Sequence, residues 1–220
     1  MKRFVQFGEK YSNNYYHQSR SEIWPLIPDN AIKILDIGCG GGALCAAIKK
    51  QRNVWYCGID ISSEAIDYAK EVLDEVHLGD ITSMDLPYAN KSFDTLIFAD
   101  ILEHLVHPLD TLRRWLPLLK ENGCVVISLP NVRHFTVTIP LIFYGKWEYS
   151  DRGILDRTHL RFFTLESARK LICDAGLKIE QELPNVRYVK RIIQWLDYIT
   201  FHGFIDHAVQ QWMFRARIRD

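Results

Sequence analysis

The sequence predicts an α/β fold, a mostly parallel sheet with helices on both faces, and three observations predict it. Strand-like and helix-like stretches alternate from Ile32 onward. The strand-like runs are apolar at successive positions and rich in branched residues, as strands buried on both faces are. The first run, "KILDIGCGGGALCAAI", passes through four glycines in five residues into an alanine-rich stretch, and a glycine turn between strand and helix is where such sheets receive ligands.

Taken in order, strands are expected at "IKILDI", "VWYCGIDI", "EVHLGD", "FDTLIFAD" and "GCVVISLP". A helix follows Gly42, and a second opens at Ser62 or Ser63, whose hydroxyls suit an N-cap, with Glu64 in its first turn. A third starts at Pro108 and sets Leu109, Leu112, Trp115, Leu116 and Leu119 on one face, with Pro117 kinking or shortening it and Gly123 after its end. Residues 131–160 read as an irregular connection rich in aromatics and arginine, and a connection of that length is usually functional. Residues 186–205 read as an amphipathic helix docked on the sheet edge, with Arg187, Lys190 and Arg191 near its start, and "QQWMFRARI" as a last strand.

The 220 residues suffice for one sizeable domain, 1–220, with 1–30 as an N-terminal cap, 131–165 as a lid over an acceptor pocket and 186–205 as the edge helix. Twenty-seven basic residues balance twenty-seven acidic ones, so the electrostatic footprint of a nucleic-acid binder is missing and no nucleic-acid partner is expected. The five cysteines show no paired spacing and read as free thiols in a reducing cytoplasm. The opening residues lack an apolar run long enough for a signal peptide, and "TVTIPLIFY" is too short to span a bilayer. A cytoplasmic protein without stable membrane insertion is expected; the oligomeric state is not legible.

Gly38, Gly40 and Ala43 satisfy the relaxed G-x-G-x-x-G/A pattern of dinucleotide sites. Asp36, two residues before the first glycine, argues against a pyrophosphate, because a carboxylate there repels it and suits a ligand carrying positive charge. Asp60 follows the glycines by about 20 residues, a spacing that accepts ribose hydroxyls. With Asp80 beyond the third strand, three carboxylates line the strand C-termini, which fits a nucleoside joined to a cationic tail such as S-adenosylmethionine.

"ILDIGCGGG", "GIDIS", "GDI" and "FDTLIFADILEHL", in this order and spacing, resemble the class I S-adenosylmethionine-dependent methyltransferases from about Tyr15 to Leu183. The resemblance implies a Rossmann-like, seven-stranded, mostly parallel sheet with an irregular lid after the fifth strand. It implies that Asp36, Gly38 and Gly40 shape the methionine end, that Asp60 holds the ribose diol, that Ile61 lies against adenine, and that Asp80 with the backbone of Ile81 reads the adenine edge. Asp100 closes the set of cofactor-binding candidates. "SLPNVRH" and "GILDRTHLRFFT" are similar to a branch associated with bacterial surface-glycan modification, which implies a sugar or glycan hydroxyl as acceptor. Quinol or phenol O-methylation is the alternative, and a non-catalytic module binding S-adenosylmethionine is a third reading.

Methyl transfer to oxygen needs the acceptor held in line and its proton removed. "ADILEHLVHP" places Glu103 and His104 just after the fourth strand, and His104 is the expected base. His107 reads as a turn residue. His159 lies on the lid, flanked by Asp156, Arg157 and Arg161, and each arginine is expected to pair internally, with Asp151 or Asp156. Amino-nucleobase chemistry is excluded, because the Asp/Asn-Pro-Pro-Tyr turn of such enzymes is here Ala99-Asp100-Ile101-Leu102. If the chain turns helical after the fourth strand, Asp100, Glu103 and His104 share one face, and His159 would complete a divalent-ion site. This is similar to the Glu-x-x-Glu-His segment, with a downstream Thr-His or Asp-His, of ubiquinone-pathway and small-RNA terminal O-methyltransferases, although Asp100 is one methylene shorter. A metal-free base is the favoured reading.

Overall fold

The computed structural model describes residues 20–186 and 205–219; the amphipathic stretch expected over 186–205 and most of the N-terminal cap lie outside them. Seven strands form one sheet: β1 (Lys33–Ile37), β2 (Trp55–Asp60), β3 (Glu75–Leu78), β4 (Phe93–Ala99), β5 (Leu119–Pro130), β6 (Leu177–Asn185) and β7 (Gln211–Ile218). Their order is β3-β2-β1-β4-β5-β7-β6. All neighbours are parallel except β7, which runs antiparallel to both β5 and β6. The order reverses direction between β1 and β4, and in such sheets that switch point opens a crevice at the strand C-termini.

The helices are α1 (Ala43–Lys49), α2 (Ser63–Ala69), α3 (Pro108–Trp115), α4 (Phe135–Tyr144) and α5 (Leu165–Asp174). Period-two alternation along β1 sends Leu35 and Ile37 into a core beneath α3 and α5, and Ile34 into a second core beneath α1, α2 and the 3-10 turn Ser21–Leu26. Ser62 caps α2 by accepting the Ala65 amide at 3.2 Å, as expected. Pro117 ends α3 early by opening a 3-10 turn, Leu116–Leu118. All five cysteines are free.

Four expectations need correction. Leu119 and Gly123 belong to β5 and not to the end of α3. β3 is an edge strand without a fully buried residue. Helix α5 and strand β6 are additions, the strand because "LKIEQELPN" carries charge on one face. The segment after β5 is not irregular throughout, since it contains α4, capped by His134 at its start and ended by Gly145 at φ 62°. That helix carries no charge and buries Val137 alone, leaving Ile142, Phe143 and Tyr144 more than 70% exposed. No helix among the described residues is long and apolar enough to cross a membrane.

Candidate functional site

The crevice begins at the glycine turn. Gly38, Gly40 and Gly42 all have positive φ, the left-handed region that a side chain makes costly. A Cβ on Gly38 would lie 2.9 Å from the Ile101 side chain, so the glycine lets β1 and the segment after β4 pack tightly. Around Gly40 the same position meets nothing within 4 Å among the described residues. Asp60 organises the turn: Oδ2 accepts the Gly40 amide and Oδ1 the Ser62 amide, both at 2.9 Å. The Ile61 amide also bonds this carboxylate, and of its about four lone-pair sites one still suits a ligand hydroxyl. Burial raises the Asp60 carboxyl above its usual range, opposed by these amide bonds.

Asp36 stands inside β1, 3% exposed, on the face it shares with Ile34. Its Oδ2 accepts the Tyr56 hydroxyl at 2.9 Å, and its buried Oδ1 has no hydrogen-bond partner among the described residues. Burial pushes its carboxyl up to about 6, against the Tyr56 bond and the Arg20 charge. In the unfolded chain the group titrates near 3.8, so the folded state binds the extra proton between these values. The stability this proton gives is fully present below the unfolded value and is lost as pH rises through the folded one, an effect of about 3 kcal/mol. Asp36→Asn is expected to flatten that part of the profile. Urea midpoints of both proteins below about pH 4 and above about pH 6 check it, and equal slopes would refute it.

The other candidates on this side are placed as follows. Ile61 is 58% exposed beyond the end of β2. Asp80 commits Oδ1 to the Thr82 amide at 2.8 Å and hydroxyl at 2.7 Å, leaving Oδ2 for a ligand. Ile81 is buried, and its carbonyl accepts the Trp115 indole N–H at 3.0 Å.

Past β4 the sequence reading divides. Asp100 has φ 52°, and the chain then forms a 3-10 turn, Leu102–His104, so the expected helical face does not exist. Asp100 is instead braced by the Arg20 guanidinium, the Gln211 amide and the Ser128 hydroxyl, the last at 2.8 Å. Arg20, Ser128 and Gln211 were missed, because they lie on the N-terminal segment, β5 and β7, and no local spacing reports a contact that topology makes.

Glu103, His104 and His159 do come together. One ligand-type atom from each lies within 4.8 Å of the others. Glu103 is 1% exposed, both of its carboxylate oxygens lack hydrogen-bond partners among the described residues, and Oε1 is 3.9 Å from His159 Nε2. Burial drives its carboxyl well above the usual range, with the Asp100 charge adding to it. His104 and His159 meet edge to face at 4.7 Å. Burial holds His104 below its ordinary value, and the neighbouring His159 lowers it further. The segment carrying His159 is pinned here, since the Glu103 carbonyl accepts the amides of Leu160 at 2.8 Å and Arg161 at 3.0 Å.

The flanking residues play structural parts. His107 caps α3 through its carbonyl, which accepts the Thr111 amide and hydroxyl. Arg157 pairs with Asp151 at 3.0 Å, as expected, while Arg161 donates to the Val106 carbonyl and not to a carboxylate.

A family profile described as "Methyltransferase domain" matches residues 8–182. The chain is similar to a ubiquinone biosynthesis O-methyltransferase of Bradyrhizobium diazoefficiens, 29% identical over 69% of this chain and 60% of that protein. A protein of the same name from Haemophilus ducreyi is 32% identical over 45% of each chain. The chain thus spans about half the length of the curated relatives it matches. Among solved structures, a SAM-dependent methyltransferase from Archaeoglobus fulgidus superposes with a TM-score of 0.64 at 20% identity, covering 89% of this chain and 90% of that one. The [4+2]-cyclase SpnF superposes with a TM-score of 0.63 at 19% identity, over 90% and 79%. At that identity the structures establish the fold alone, and it is the family match over most of the chain that identifies this protein as a member of the methyltransferase domain family.

Proposed function

We propose that the protein is an O-methyltransferase that uses S-adenosylmethionine and acts on a hydroxyl of a small aromatic, quinol-like acceptor. The observation that carries the reading is the cluster of Glu103, His104 and His159 at the C-terminal end of β4, against the glycine turn through Ile101. When bound, S-adenosylmethionine supplies a methyl group on a sulfonium, activated for in-line displacement. The residues present fit it: a Cβ on Gly40 would meet nothing within 4 Å among the described residues, Asp60 keeps a lone-pair site for a ligand hydroxyl, and the Oδ1 of Asp36, unpartnered among the same residues, suits a cationic end.

His104 is the base in this reading. Its lowered pKa keeps it neutral and ready to accept the acceptor's hydroxyl proton. Trp147, Tyr149 and Phe162 pack edge to face or tilted on the lid beside His159, and α4 adds an uncharged surface. Such walls favour an aromatic or apolar acceptor over a sugar. The names of the relatives point the same way, and the glycan acceptor suggested by "SLPNVRH" gains no support from them.

A divalent cation is a second reading, favoured by one observation: a buried carboxylate with two oxygens unpartnered among the described residues faces two imidazoles. Glu103, His104 and His159 would hold it without Asp100, and it would lower the pKa of a bound hydroxyl. The test is release of S-adenosylhomocysteine with a catechol bearing a prenyl tail, and in parallel with a nucleotide sugar. Release with the catechol alone is expected, and release with the sugar alone would overturn the acceptor. Full activity after exhaustive chelation selects the metal-free base, whereas loss restored by magnesium, manganese or zinc selects the cation.

A further inference from the structure

We propose that Thr158 and Asp156 are positioning residues that fix which ring nitrogen of His104 carries its proton. The inference rests on the function proposed above, in which His104 meets the acceptor hydroxyl, and adds two residues to that site. Asp156 is buried, and its Oδ1 accepts the Thr158 amide at 2.9 Å and the Thr158 hydroxyl at 2.6 Å. A carboxylate oxygen only accepts, so the single hydroxyl proton of Thr158 points at Asp156. The hydroxyl oxygen is therefore an acceptor towards its other neighbour, His104 Nδ1, at 3.0 Å. The Thr158 carbonyl lies 3.3 Å from the same nitrogen and also only accepts. Two acceptors face one ring nitrogen, and both are satisfied by an N–H on Nδ1. The lone pair is thereby assigned to Nε2, the atom left to meet a hydroxyl or a cation.

Asp156 has a specific part in this chain. Without the carboxylate, the Thr158 hydroxyl is free to turn and donate to Nδ1, which would move the histidine proton to Nε2 and occupy the atom the reaction needs. His159 receives a parallel assignment from a different group: its Nδ1 lies 3.0 Å from the Ile154 carbonyl, which leaves its Nε2 facing Glu103. Both imidazoles thus have their Nδ1 protons anchored on the segment after β5 and direct their lone pairs away from it.

The experiment uses the full chain labelled with 15N-histidine, with the His104 signals assigned by their loss in His104→Ala. Long-range proton–nitrogen spectra report the tautomer directly, without turnover. The parent and Thr158→Ser are expected to show Nδ1 protonated, and Thr158→Val to show a population protonated at Nε2. With S-adenosylmethionine and the catechol probe, Thr158→Val is expected to lower kcat by at least about tenfold. The KM for S-adenosylmethionine is expected to stay unchanged, and Thr158→Ser to restore turnover. Thr158→Ala repeats the measurement without added bulk should valine disturb the loop. A His104 ring that stays protonated at Nδ1 in both the Val and Ala variants overturns the proposal, as does a serine variant as slow as the valine one. If His104→Ala keeps full turnover while Thr158→Val still shifts the tautomer, the positioning stands and the catalytic reading of His104 falls.

Discussion

His104→Ala is expected to lower turnover by about 10²–10⁴-fold, the range a positioned general base supplies, while leaving the affinity for S-adenosylmethionine unchanged. The separation follows from the geometry. The partners of the His104 ring are Thr158 and His159, on the segment after β5, and the groups around the glycine turn are Asp60 and Asp36. Single-turnover kinetics with the catechol probe, paired with calorimetry of cofactor binding, separate the two effects. A variant that binds normally and turns over at the parental rate would show that proximity alone suffices. Equal losses in His159→Ala and His104→Ala would mark the cluster as one unit and favour the cation, since a ligand set fails when either imidazole is removed.

The second large effect is expected at Asp60. Asp60→Ala removes two charge-assisted bonds from the backbone of the turn, together with the acceptor proposed here for a ribose diol. Bonds to a charged group contribute roughly 1.5–3 kcal/mol each, so losing one ligand bond weakens binding by about 10- to 150-fold, and loosening of Gly40 adds to it. Asp60→Asn retains an oxygen for one amide and is expected to fall between the two. Calorimetry on variants with parental circular dichroism checks this, and unchanged affinity in the alanine variant would remove Asp60 from the cofactor site.

The buried strands were legible because apolar, branched residues at successive positions have few other uses. β6 was not, since Lys178, Glu180 and Glu182 make it amphipathic and turn-like in composition. α4 was not, because Pro140 and five β-branched residues within "FTVTIPLIFY" oppose a helix, and its apolar residues follow no single face. At the site, the glycine turn, Asp60 and the meeting of His104 with His159 were readable from motif and order. The withdrawal of Asp100 was not, because a left-handed residue and a 3-10 turn replaced the α-helical spacing on which its inclusion depended. Its actual partners lie 80, 28 and 111 positions away. SpnF shows a further limit, since a [4+2]-cyclase shares a similar fold, so the side chains, and not the sheet, must carry the chemistry.

The position of β7 constrains the route by which the chain assembles. Among the described residues β6 pairs with β7 and with no other strand, and β7 pairs in turn with β5. The sheet therefore cannot grow strand by strand in the order of the sequence: β6 finds its partner only in β7, which lies later in the chain. Such non-local closure is the slow kind of contact to form. Because β7 also delivers Gln211 to Asp100, docking of β7 beside β5 braces the end of β4 as well, and a chain in which β7 has not docked exposes the edge of β5 and leaves Asp100 without one of its braces.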